Sequence, residues 1–180
     1  MQIMRWGTDH PSITGTIPDI NLKSWGLVVD GEVERPLKLM WTDFARISTV
    51  NSVSDFHCVE GWSVLDCRWE GVLFSNITSQ AKPKKGAKYV LFECADGYTT
   101  SFAQDELMGD NVLLATKLNG KILEKGLGFP LRLVVPGKYA YKSALWLTRI
   151  HFSSKNKLGY WEERGYSNTA DVWKNDRFSK

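Results

Sequence analysis

A chain of 180 residues with 43% hydrophobic side chains can bury one self-supporting core, so neither disulfide staples nor a structural metal is needed to hold it together. Its 23 basic and 20 acidic residues are scattered and leave a net charge of +3, which argues against the basic stripe that nucleic acid requires. The 3 cysteines stand far apart without a CxxC pair, so they support neither a disulfide framework nor a zinc finger and fit reduced thiols, while no apolar run approaches the ~20 residues of a membrane span.

In chain order, Met1 to Pro11 lacks the apolar core of an export signal, from which a cytoplasmic location is expected. Trp25, Leu27 and Val29 alternate as on a strand, and Asp30-Gly31 offers a tight turn after which Val33 would begin the hairpin partner. Short helices are expected at Thr42 to Ile47, at Ser75 to Ala81 with Phe74, Ile77 and Ala81 on one stripe, and at Gln104 to Met108. Lys82 to Lys88, broken by Pro83 and Gly86, reads as a solvated loop before a strand at Tyr89 to Cys94 that Asp96-Gly97 closes. Asn119-Gly120 predicts a hairpin between Leu118 and Ile122-Leu123. Leu131, Leu133 and Val135 share one face of a strand and turn Arg132 to the other, before Pro136-Gly137 ends it. Leu147 to Phe152 alternates again, Ser153 to Lys157 is a loop, and the tail to Lys180 has aromatics without clear periodicity. Strand-like runs outnumber short helices and no boundary interrupts them, so one domain, residues 1–180, of the α+β class and rich in β structure is expected.

Two stretches concentrate chemistry. Asp55-Phe56-His57-Cys58-Val59-Glu60-Gly61-Trp62-Ser63 brings a thiol, an imidazole, a carboxylate and an indole together around a glycine. Cys58 there is open to being a nucleophile, a metal ligand, a redox thiol or a small buried hydrophobe, the first three roles depending on its thiolate. His57 is a poor base for Cys58, because adjacent residues on an extended chain point to opposite faces. Nothing in the sequence brings His10 or His151 to it instead. The second stretch, Pro130 to Trp146, joins a strand to a loop carrying Arg132, Lys138, Lys142 and Ser143 around Gly137, chemistry suited to an anionic, phosphate-bearing ligand or, equally, to a turn with solvated lysines. The 8 Trp, 8 Phe and 6 Tyr suggest broad aromatic surfaces inside or around a pocket.

Leu27-Val28-Val29-Asp30-Gly31 with Pro36-Leu37, the Asp55 to Ser63 stretch, Trp69-Glu70-Gly71-Val72, Asp96-Gly97-Tyr98, the Pro130 to Trp146 stretch, and Gly159-Tyr160-Trp161-Glu162 with Arg164-Gly165-Tyr166 form an ordered series. From about residue 25 onward it resembles the molybdopterin-binding domain of sulfite-oxidase-like oxidoreductases. The resemblance implies that fold, a Mo-molybdopterin cofactor, Cys58 as the protein's metal ligand, and two-electron oxygen-atom transfer on a small substrate with a separate redox protein as electron partner. It places pterin contacts at Arg132 and Lys142-Ser143-Ala144-Leu145, with Cys94 where a small hydroxyl is common. Lys138 and His57 are assigned by proximity to the matched motifs, and Glu60 and Trp62 as pocket residues.

The departures narrow the reading. Val59-Glu60-Gly61-Trp62 follows Cys58 where animal and plant sulfite oxidases carry an arginine-rich segment, so the pattern is more like that of bacterial methionine-sulfoxide reductases. Unlike these it shows no export signal, and Leu127 stands where a polar pterin contact is expected. The haem and dimerisation domains of true sulfite oxidases have no counterpart, nor is there a CxxCH haem site. The alternatives are a non-catalytic molybdopterin-binding or carrier protein, and a metal-free cysteine hydrolase or transferase.

Overall fold

A stretch whose alternate residues are all apolar can bury one face, and one buried on both faces becomes the middle of a sheet. The computed structural model describes residues 12–179. Its elements are β1 (Gly26–Gly31), β2 (Leu37–Met40), α1 (Trp41–Phe44), β3 (Val50–His57), β4 (Ser63–Leu73), α2 (Phe74–Ala81), β5 (Tyr89–Cys94), β6 (Thr99–Ala103), β7 (Leu113–Leu118), β8 (Lys121–Ile122), β9 (Arg132–Val134) and β10 (Leu147–Ser153), with short 3₁₀ turns between. One five-stranded sheet runs β2-β1-β10-β5-β6, with β1 parallel to β10 and the other pairs antiparallel. A second, wholly antiparallel sheet runs β3-β4-β7-β8, with β9 also paired to β7. Among the described residues no helix is long and apolar enough to cross a membrane. The export-signal reading of Met1 to Pro11 lies outside them.

The main core joins Leu27, Val29, Phe92 and Ile150 of the first sheet to Val72, Leu114, Leu131 and Leu133, with Phe74, Ile77 and Ala81 of α2 packed in as one stripe. A second cluster of Cys67, Trp69, Leu113, Ala115 and Val134 covers the opposite face of the second sheet. The strands β7 and β9 are therefore enclosed on both sides, and Arg132, on the Val134 side of β9, is carried inside.

The Asn119-Gly120 hairpin forms with both residues left-handed, at φ 51° and 77°, and pairs Leu118 with Lys121. The hairpin expected at Asp30-Gly31 does not. Gly31, at φ 86°, instead lets the Glu32 amide reach Phe152 O at 2.8 Å, and an added Cβ would stand 2.1 Å from that oxygen. The chain then passes Val33, which bridges Pro83, before turning back as β2. The helix expected from Thr42 is shorter, ending at Phe44, and that at Gln104 is a 3₁₀ turn ending at Leu107. β3 and β4 form a long hairpin that the sequence pattern did not announce. A register shift between Glu70 and Gly71 and a left-handed Asp66 interrupt the alternation of β4.

On the outward face of the first sheet, Arg149 Nε contacts both Asp30 oxygens at 3.1 and 3.0 Å, Arg149 Nη1 reaches Glu93 at 3.0 Å, and His151 Nδ1 lies 2.8 Å from Asp30 Oδ1. Burial raises the Asp30 carboxyl, but the hydrogen bonds from Arg149 and His151 outweigh it and leave the group below its ordinary value. A carboxyl lowered by folding contributes stability above its unfolded pKa of about 3.9 and loses it as the pH falls through the folded value. Asp30→Asn should therefore cost about 1 kcal/mol at neutral pH and converge on the wild type as the pH falls through the lowered folded value. Urea unfolding at several pH values measures the gap, and a constant gap would remove Asp30 from the acid limb.

Candidate active site

The β3–β4 hairpin closes through Cys58 to Trp62. The Cys58 amide donates to Trp62 O at 2.9 Å and the Gly61 amide to Cys58 O at 3.0 Å, with Gly61 left-handed at φ 99° in open space. The curl turns Cys58 Sγ toward Glu60 Oε2 at 3.8 Å, and Trp62 Nε1 donates to the same oxygen at 3.4 Å. Burial raises the Cys58 thiol above its ordinary range, and the Glu60 carboxylate pushes the same way. A cysteine nucleophile needs the opposite shift. His57, as alternation requires, turns away: its Nδ1 meets Ser63 Oγ at 2.7 Å and its ring meets Trp173 edge-on at 5.6 Å. His151 is committed to Asp30, and His10 lies outside the described residues.

Cys58 opens into a cleft of about 300 Å³. Of the residues singled out from sequence, Cys58, Glu60, Trp62, Arg132, Ser143 and Leu145 line it. Arg132 is 3% exposed; its Nε donates to Ser143 Oγ and its Nη1 to Leu127 O, each at 3.2 Å, and its Cζ lies 5.1 Å from the Phe56 ring centre and 5.2 Å from that of Trp69. Burial lowers its pKa to about 9, which still leaves it a cation at neutral pH. Leu127, apolar where a polar contact was expected, supplies its carbonyl to Arg132 and its side chain to the cleft.

His57, Cys94, Lys138, Lys142 and Ala144, expected at the cofactor, do not line the cleft, each for a physical reason. His57 is on the far side of its strand end, and Cys94 is buried in the first sheet opposite Leu147. Lys138 is bound to Glu106 and to Thr169 O, and Ala144 is enclosed with its carbonyl on the Leu133 amide at 2.9 Å. Lys142 has no exposure at all. Its ammonium contacts Glu162 Oε1 at 2.6 Å, Asn168 Oδ1 at 3.3 Å and Ser101 O, and lies 4.3 Å from the Phe102 ring centre. Thr100 Oγ1 donates to the same Glu162 oxygen at 2.6 Å. Burial presses the Lys142 ammonium down while Glu162 holds it up.

Sequence reasoning missed most of the walls: Tyr98, Tyr141, Trp146, Trp161 and Tyr166 complete the cleft. All five lie inside the motifs quoted above, and the excess of aromatic residues was the other signal. Trp146 is left-handed at φ 52°, a conformation uncommon for a bulky residue, and its Nε1 is fixed on Lys125 O at 2.7 Å.

The cleft suits a large anionic group that brings its own metal ligands. Among the described residues no three of His, Cys, Asp and Glu gather to hold a metal ion, so any metal held by Cys58 would have to bring its other ligands with it. Aromatic walls and a buried guanidinium fit a flat, negatively charged organic ligand.

Residues 14–161 match the oxidoreductase molybdopterin binding domain family. The chain belongs to that family. It is 40% identical over 167 residues to the uncharacterized oxidoreductase YuiH of Bacillus subtilis, covering 92% of this chain and 84% of that protein. The protein-methionine-sulfoxide reductase catalytic subunit MsrP of Xanthomonas campestris is 33% identical, over 88% of this chain and 54% of its own length, so the chain spans about half of such relatives. In fold it resembles the sulfane dehydrogenase SoxCD of Paracoccus pantotrophus, with a TM-score of 0.73 and 25% identity over 78% of this chain and 41% of the other. The sulfite-oxidase-type fold and the oxidoreductase class expected from sequence are thus both met.

The buried ion pair sets the walls of this domain's cleft, because Lys142 lies between Tyr141 and Ser143, which line it. Lys142→Met leaves the Glu162 charge enclosed without its cation and should cost about 3–5 kcal/mol, with much of that recovered in Lys142→Met/Glu162→Met. A urea double-mutant cycle measures this, and additive losses would show that the pair is not coupled.

Proposed function

We propose that this domain binds a molybdenum-bearing pterin through Cys58 and catalyses two-electron oxygen-atom transfer on a small neutral substrate, exchanging electrons with a separate redox protein. The observation that carries the reading is a half-buried thiol at the mouth of an aromatic cleft with a buried guanidinium on its wall. Cys58 would hold the metal and Arg132 would pair with anionic groups of the pterin, with Ser143 fixing the direction of its guanidinium. When bound, the cofactor supplies the two-electron redox chemistry at oxygen.

The chain's own residues supply selectivity. Glu60 beside Cys58, with Asp96 further along the lining, makes the mouth a poor receptor for a dianion such as sulfite. Trp62, Trp161 and Tyr166 offer apolar faces to a neutral sulfoxide or thioether instead. MsrP relatives are named catalytic subunits that act on protein methionine sulfoxide, which supports both this substrate class and a partner for electrons.

Elemental analysis and pterin fluorescence on protein from a cofactor-competent host test the reading. The wild type should carry about one molybdenum per chain with pterin, and Cys58→Ser should lose the metal or alter its spectrum. The loaded wild type should reduce an aryl or methionine sulfoxide with reduced viologen dye far faster than it oxidises sulfite. Repeated preparations with neither metal nor pterin would overturn the assignment, and metal and pterin without turnover of either substrate would favour a carrier.

A further inference from the structure

Residues 166–179 form neither strand nor helix yet hold a fixed shape beside the Cys58 loop. Ser167 is the knot: its amide donates to Arg177 O at 3.0 Å, and its hydroxyl donates to Asp176 at 2.6 Å and accepts from the Ala170 amide at 3.0 Å. The segment is sewn to the 137–141 stretch by Tyr139 N on Ala170 O and Val172 N on Gly137 O, each at 3.0 Å, and by the Tyr141 hydroxyl on Ser167 O at 2.6 Å.

From this frame Arg177 reaches the hairpin loop, where its Nη1 donates to the Val59 carbonyl. Its Nε is held by Asn175 Oδ1 at 2.7 Å, and its Cζ lies 5.2 Å from the Tyr139 ring centre. The Tyr139 hydroxyl donates to the same Asn175 oxygen at 3.3 Å, and the Tyr139 backbone bridges His57 at the base of the loop. Val59 directly follows Cys58 and lines the cleft. The loop's internal bonds run from Cys58 N to Trp62 O and from Gly61 N to Cys58 O, so they set its curl but not its stance over the cleft. A planar guanidinium held at two nitrogens and stacked on a ring is suited to fix that stance.

We propose that Arg177 is a positioning residue: by docking the carbonyl next to Cys58 onto the C-terminal segment, it sets where the thiol stands and thereby the seat of the metal. The last step rests on the function proposed above, whereas the clasp itself does not. The clasp is read in metal-free protein by the rate at which iodoacetamide alkylates Cys58, since Cys67 and Cys94 are buried at 1% and 6% exposure. Arg177→Met keeps the aliphatic stem but removes the donor, and labelling should quicken about tenfold on losing one charge-assisted hydrogen bond. Removing a nearby positive charge would by itself raise the thiol pKa and slow labelling, so faster labelling separates a loosened loop from a lost charge. Arg177→Lys should return part of the way to the wild-type rate. Arg177→Gln, with a polar tail too short to span the gap, stands in should the Met variant not fold, and must also label faster.

In loaded protein, Arg177→Met should keep its molybdenum but shift the Mo(V) paramagnetic resonance signal. A folded Met or Gln variant that labels at the wild-type rate overturns the clasp. An unchanged Mo(V) signal overturns its role at the metal. Wild-type protein without molybdenum would sink the function proposed above while leaving the labelling result to decide the clasp.

Discussion

The cleft depends first on a buried ion pair. Lys142 and Glu162 are each removed from water, which costs several kcal/mol per ion unless every donor and acceptor is well placed. Lys142 meets that condition with Glu162, Asn168 and the Ser101 carbonyl, whereas Glu162 gathers its partners on Oε1 and leaves Oε2 buried without a hydrogen bond. Those partners come from β6 and from the segment after β10, so the pair gathers stretches of chain far apart in sequence onto one point. Tyr141 and Ser143 flank Lys142 in the chain and line the cleft, as do Trp161, next to Glu162, and Tyr166 four residues beyond it. A charge that contacts no ligand therefore sets the shape of the space in which a ligand sits.

A second buried cation lies on the wall of the cleft. Arg132 is carried inside by β9, whose partners on β7 enclose it, and two aromatic rings and a backbone carbonyl take the place of solvent. Burial moves its pKa to about 9 without discharging it, so the cleft keeps a positive charge among its largely apolar walls. Low dielectric around such a group strengthens its attraction for an anion entering the cleft. The mouth carries the opposite sign through Glu60. A ligand with an anionic body and a neutral or cationic outer end matches this gradient better than one whose outer end is anionic.

In the first sheet β1 and β10 were legible from their alternation and β5 as an apolar run closed by Asp96-Gly97, and the Asn119-Gly120 turn was legible because few residue pairs tolerate two left-handed positions. The β3–β4 hairpin was not, since β3 mixes polar residues with an exposed Val53, leaving no apolar face to read, and β4 changes register twice. Cys58 was found because reactive residue types crowd one short loop, and Arg132 because a lone charge interrupts an apolar strand. Lys142 reads in sequence like any surface lysine. Its burial depends on Glu162 and Asn168, which approach it only in the folded chain, and no local pattern carries that information.

The state of the Cys58 thiol then distinguishes among the roles its sequence left open. A nucleophile or exchange thiol is made reactive by surroundings that favour the thiolate, whereas burial and Glu60 here favour the protonated form. Among the described residues no imidazole compensates, because His57 is turned to Ser63 and His151 to Asp30. Were Cys58 to hold a strongly charged metal centre, the field of that centre would favour its thiolate, so Cys58 would need no lowered pKa beforehand. Keeping the thiol protonated until such a centre arrives also limits oxidation and exchange, which follow thiolate character. The same environment that disables Cys58 as a base-assisted nucleophile thus leaves it fit to bind a thiophilic metal.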